Sequence, residues 1–154
     1  MNDHARSAGR RWVGFALALT LVLSLGLAGY DQVASAQADL PPLAQKMEII
    51  NDGYKNLRRA ARSGAFDEET LSDVTKMQAA TLEAKSLEPP MAAKLTGDAK
   101  AKMLNGYRKV MAKLLSELGA LEVALRDSNV EAVKEHVTNL ALIKKEGHDA
   151  FIEE

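Results

Sequence analysis

Two side chains near opposite ends of the chain, Met47 and His148, carry its donor chemistry. A thioether sulfur and an imidazole nitrogen meeting across an apolar cleft form a ligand pair for haem iron, in which the soft sulfur raises the reduction potential. The same two donors suit copper, although two ligands alone do not define a copper site. Both residues also have an ordinary reading. Methionine is a flexible core filler, and Met47, Met77, Met91, Met103 and Met111 all lie beyond the first 38 residues. A histidine near the C-terminus of a helix is favoured there by the helix dipole. Whether the two donors meet depends on the elements that carry them.

No other catalytic constellation competes with this pair. Cysteine is absent, so there is no disulfide, no thiolate ligand and no site for covalent haem attachment. The sequence holds no nucleophile–base pair, phosphate-binding loop or HExxH motif, and no enzymatic activity is expected. His136 and His148 are twelve residues apart, about 120° around a helix, so they cannot share one ion within it. His136 is read as an exposed or boundary residue.

The first 38 residues read as an address and not as part of the fold. Arg6, Arg10 and Arg11 precede an apolar run from Trp12 to Leu27, and Ala34-Ser35-Ala36 and Ala36-Gln37-Ala38 supply small-residue cleavage sites. The run is short for a membrane span. Tyr30 stands where a lipidated cysteine would be needed after Leu27-Ala28-Gly29, and Trp12-Val13-Gly14 fits a twin-arginine signal poorly. Ordinary secretion to the periplasm, with cleavage after Ala36 or Ala38 and no membrane attachment afterwards, is the expectation. Residues 39–154 then form one domain with 17 Lys+Arg against 19 Asp+Glu, a formal charge of −2. That balance, with lysines interleaved among acids, gives no footprint for nucleic acid.

The elements that must position the donors are helices. Pro41-Pro42 opens the first, Met47, Ile50, Tyr54, Leu57 and Ala61 follow at alternating steps of three and four, and Gly64 supplies a left-handed stop. Asp67 caps a second helix with Leu71, Val74, Met77, Thr81 and Ala84 inward and Gln78 at the stripe's edge; it ends before Pro89-Pro90. Met91 to Gly97 reads as the longest connection. Asp98 is expected to cap a third helix with Met103, Tyr107, Val110, Leu114, Leu118, Leu121 and Leu125 inward. Ser128-x-x-Glu131 reads as a capping box for the fourth, from Asn129 to about Glu153, whose stripe is Val130, Val133, Val137, Leu140 and Phe151. His148 is expected on that stripe, pointing into the core.

Four such helices joined mostly by short turns favour an all-α, antiparallel up-down-up-down four-helix bundle. This topology brings the start of the first helix and the end of the fourth to one end of the molecule. Met47 and His148 then lie at depths that agree within a few Å, at roughly 1.5 Å per residue. Met111 is expected farther from that end.

The segments Ala38-Asp39-Leu40, Met47-Glu48-Ile49-Ile50-Asn51-Asp52 and Lys76-Met77-Gln78-Ala79-Ala80, the pair Pro89-Pro90, and His148 resemble, in that order, the soluble cytochrome b562 family of the periplasm. The resemblance implies one non-covalent haem b with Met47 and His148 as axial ligands. It also implies Ile50, Met77, Met103, Tyr107 and Lys144 as the remaining cofactor-binding residues, with Gly106-Tyr107 as the family's glycine–aromatic pair. It further implies transfer of single electrons to redox partners that the sequence does not name, by a chain expected to be monomeric. Two departures stand out. Lys144 occupies a position where the best-known member has arginine, and Ile152 one where a second arginine is expected; a lysine approaches a propionate as a point charge without arginine's fork. Both helical hairpins also read about one turn longer. Because some relatives lack the ligands, a haem-free, metal-binding helical module of the periplasm is the alternative.

Overall fold

The computed structural model describes residues 40–152. The expected secretory segment and its expected cleavage sites lie outside the described residues. The described residues belong to one compact unit.

The described residues are all-helical: α1 (Pro42–Ser63), α2 (Glu68–Ala84), the one-turn α3 (Pro90–Ala93), α4 (Gly97–Arg126) and α5 (Val130–Phe151). Local chemistry accounts for most of the boundaries. Pro42 begins α1, where its missing N–H costs nothing, and Gly64 ends it at φ 71°, donating its N–H to the Ala60 carbonyl at 2.8 Å. Asp67 starts α2 by accepting from the Thr70 N–H at 2.8 Å, while the Thr70 hydroxyl faces back toward the Asp67 N–H.

Three expected details change. The stretch expected as a plain connection contains α3, because Pro90 presets a helical φ and Pro89 supplies the extended residue before it. Thr96, and not Asp98, stands at the N-cap of α4, and Asp98 falls in its first turn. Ser128 does not cap α5. It takes up the tight turn at φ 54°, and the Asn129 side chain accepts from the Ala132 N–H at 3.1 Å instead.

The four long helices form a bundle in which α1 packs on α2, α2 on α4, α4 on α5 and α5 on α1. Particular contacts fix their register. Between α1 and α2, Lys46 pairs with Glu83 at 2.5 Å and the Asn56 amide donates to Asp73 at 2.8 Å. The Tyr107 hydroxyl of α4 donates to the Ala84 carbonyl at the end of α2 at 2.8 Å. The Gln78 amide of α2 donates to the Leu118 carbonyl at 3.3 Å and to Glu122 at 2.8 Å. Lys113 of α4 pairs with Glu146 of α5 at 2.7 Å, and Glu117 accepts from Asn139 at 2.9 Å. The core follows the expected stripes with shifts at their edges. Ile143 and Ala124 are buried, whereas Val130 is exposed and Leu125 only partly buried.

Candidate haem site

A mostly apolar cavity of about 710 Å³ opens at the end of the bundle where α1 begins and α5 finishes. Its size lies within the roughly 300–1,000 Å³ common for small-molecule and cofactor sites. Helix α1 contributes Met47, Glu48, Ile50, Asn51 and Tyr54, and α2 contributes Met77. Tyr107, Val110, Met111 and Leu114 come from α4, and Leu140, Ile143, Lys144, Gly147, His148 and Phe151 from α5. Pro89 and Pro90 close one edge. Six of the seven residues singled out in the sequence therefore share one cavity: Met47, Ile50, Met77, Tyr107, Lys144 and His148. Met103 is the exception; it packs on the core from outside the cavity lining.

His148 is exposed and not buried. The inward line of α5 runs through Leu140, Ile143, Gly147 and Phe151, and eight residues at 100° each carry His148 about 80° away from Leu140. Its ring thus stands on the cavity's edge, with no side-chain hydrogen bond among the described residues, so a lone pair is free to act as a donor. Met47 is half-buried on the facing helix. Beside His148, a methyl group placed on Gly147 would lie 3.6 Å from Val110 Cγ1, an ordinary contact, so α5 faces Val110 of α4 at this depth.

Tyr107 packs against Phe151 in the cavity lining, their rings edge to face at 5.6 Å between centroids and 84° between planes. Burial pushes the Tyr107 phenol up to about 12, so it is neutral and serves as a donor to the Ala84 carbonyl. At the rim, the Lys144 ammonium donates to Asn51 Oδ1 at 2.7 Å and lies 5.6 Å from the Tyr54 ring centroid, while the Arg58 guanidinium lies 5.8 Å from the same centroid. Lys144 is therefore a strap from α5 to α1 at the cavity mouth.

Glu48, Met111 and Ile143 are among the lining residues that the sequence did not mark as cofactor-binding. Met111 follows Tyr107 by four residues, a spacing that places both on one helix face and was the available signal. Its position by the cavity also corrects the expectation that it lies away from the ligand end. Glu48 had no such signal. Among the described residues its Oε2 is a buried side-chain atom with no hydrogen-bond partner.

The family model for cytochrome b562 matches residues 42–151, from the first residue of α1 to the last of α5. The chain belongs to the cytochrome b562 family. Members of this family are helical-bundle, haem-binding electron-transfer cytochromes, periplasmic in general. Curated proteins give no match to the chain. For a cytochrome b562 the donor set present here fits haem: thioethers and one imidazole on the walls of one apolar cavity, with two packed aromatic rings and a lysine ammonium in its lining. No group of three or more His, Cys, Asp or Glu among the described residues offers a competing metal site, and no described helix is long and apolar enough to cross a membrane.

Proposed function

We propose that the chain is a periplasmic electron carrier that holds one non-covalent haem b between Met47 and His148 and performs no substrate chemistry. The carrying observation is that both donors line the same apolar cavity in a member of the cytochrome b562 family. We read the bundle as antiparallel and up-down-up-down. In support, partners rise in number on one helix as they fall on the next: Lys46 with Glu83 and Asn56 with Asp73; Ala84 with Tyr107 and Gln78 with Glu122; Lys113 with Glu146 and Glu117 with Asn139. In this reading export removes residues 1–38, and the mature chain is monomeric.

Each residue then has a physical task. A haem bound in the cavity supplies a one-electron couple. Met47 gives the soft donor that favours the reduced state and so raises the potential, and His148 gives the stronger one. With both donors holding the group, the chain would offer no open iron position for oxygen or peroxide. Ile50, Met77, Val110 and Ile143 exclude water, and Tyr107, held by its hydrogen bond to the Ala84 carbonyl, is fixed in the lining. Lys144 places one positive charge at the mouth, where carboxylates of the cofactor would meet solvent.

Reconstitution tests this. The protein should take up one haem per chain and give a sharp low-spin, six-coordinate reduced spectrum. Met47→Ala should retain haem through His148 with high-spin character and a lower potential, and His148→Ala should lose haem more readily. Met103→Ala, a thioether outside the cavity, should keep the wild-type spectrum. Failure to bind haem, or an unchanged low-spin spectrum in Met47→Ala, overturns the ligation.

A further inference from the structure

We propose that, free of haem, the same cavity is a Cu(I) site built from two thioethers and one imidazole: Met47, Met111 and His148. The proposal depends on the cavity and not on haem binding, so a chain that takes no haem leaves it standing.

Depth is the first argument. Val110 faces Gly147, since a methyl group built on Gly147 would lie 3.6 Å from Val110 Cγ1, and Lys113 pairs with Glu146. Met111 is next to Val110, so it lies within about 3 Å of His148 along the bundle at 1.5 Å per residue. On the other side, Lys144 reaches Asn51. Asn51 is four residues after Met47 and Lys144 four before His148, so equal steps from that contact toward the end of the bundle bring Met47 and His148 level. The three donors therefore stand on three consecutive walls, α1, α5 and α4, at one depth. Met77 lies elsewhere: its sulfur sits against Gly53, six residues farther into the bundle than Met47, about 9 Å away.

Direction is the second argument. Helical side chains lean toward the start of their own helix. With α4 and α5 running oppositely, Met111 leans toward the cavity mouth and His148 leans inward, so sulfur and ring converge. Met47, with three rotatable bonds, closes the third side from the mouth.

Donor type and charge select the ion. Thioethers are soft ligands that favour Cu(I), imidazole suits copper as well, and the set has no hard oxygen pair for magnesium or calcium. The buried Glu48 Oε2, which has no partner among the described residues, borders the same cavity and is offset by a cationic occupant. Loading with Cu(I) is simple ligand exchange, and no electron moves.

The test is an anaerobic titration of the haem-free protein with Cu(I) held by bicinchoninate, followed by copper X-ray absorption. The wild type should withdraw one equivalent and show two sulfur neighbours. Met111→Leu conserves volume and should fold normally by circular dichroism, yet hold copper at least about tenfold more weakly and show one sulfur fewer. Glu48→Gln should also weaken binding, and Met103→Leu should match the wild type. If the wild type leaves copper on the chelator, or if Met111→Leu keeps both the affinity and the sulfur count, the site does not exist.

Discussion

Gly53 lies where α1 comes closest to a side chain of α2. A methyl group placed on it would stand 2.6 Å from Met77 Cγ and 2.7 Å from Sδ, and Met77 is only 1% exposed. Alanine is the better helix former by about 1 kcal/mol, whereas overpacking a core costs about 1–3 kcal/mol, so the overlap should win by roughly 1 kcal/mol. The free volume beside Met77 is the cavity. Gly53→Ala should therefore lower the denaturation midpoint and also weaken haem uptake, and adding Met77→Ala should relieve the second effect. A Gly53→Ala protein as stable as the wild type would show that Met77 moves aside without cost. Tyr107 gives a second test at this scale. Its phenol is raised from 10.0 to about 12, so the folded state holds the proton more tightly than the unfolded chain. The stability linked to it is fully present below about 10 and is lost as pH rises toward about 12, a change on the order of 2 kcal/mol. Urea midpoints across that alkaline range should fall more steeply for the wild type than for Tyr107→Phe; parallel curves would remove Tyr107 from the account. At neutral pH the phenylalanine variant should lose about 1 kcal/mol for the missing hydrogen bond to Ala84.

Among the elements, α2 depends most visibly on its first turn. The backbone N–H of Thr70, and then its hydroxyl, hold the Asp67 carboxyl below its usual range. Stability from this cap is present above the unfolded carboxylate range and is lost as pH falls through the lowered value. Asp67→Asn keeps an acceptor for Thr70 and should remove the acid dependence while retaining the cap; Asp67→Ala should remove both. Urea unfolding at neutral and acid pH separates the two, and equal midpoints for Ala and wild type at neutral pH would refute the capping role. The other end of α2 is held differently. Gln78 crosses to α4 and depresses the Glu122 carboxyl by hydrogen bonding, with Arg126 as the next cause. A residue at the edge of a hydrophobic stripe thus becomes an interhelical tie.

For the whole molecule, packing is uneven along the bundle. Leu57, Val74, Leu118, Leu121 and Val133 are at most 1% exposed, whereas the opposite end encloses the 710 Å³ cavity. A segment with fewer packed neighbours opens at lower free energy. In the haem-free protein, amide hydrogen exchange should be slowest around those five residues and faster in the first turns of α1 and the last turns of α5. Haem binds the folded state alone, so its addition should slow exchange at the cavity end and raise the melting temperature by mass action. Uniform protection without haem would mean that the cavity does not weaken that end.

Much of this was legible in the sequence, because it depends on near neighbours along the chain. Apolar steps of three and four, Pro41-Pro42, Gly64, Asp67 and Pro89-Pro90 determine where helices run and stop. The order of short family segments pointed to the family, and with it to Met47 and His148 as the candidate ligand pair. Tertiary structure decided what periodicity cannot, namely the side of each stripe's edge on which a residue falls. His148 is about 80° from Leu140, close enough to count as inward by spacing yet exposed once Gly147 takes the contact with Val110. Met103 and Met111 are both methionines on α4, and only the packed bundle puts Met111 on the cavity and leaves Met103 outside its lining. Lys144 bonding to Asn51, and Glu48 buried without a partner, likewise depend on residues distant in sequence, so only the packed bundle could reveal them.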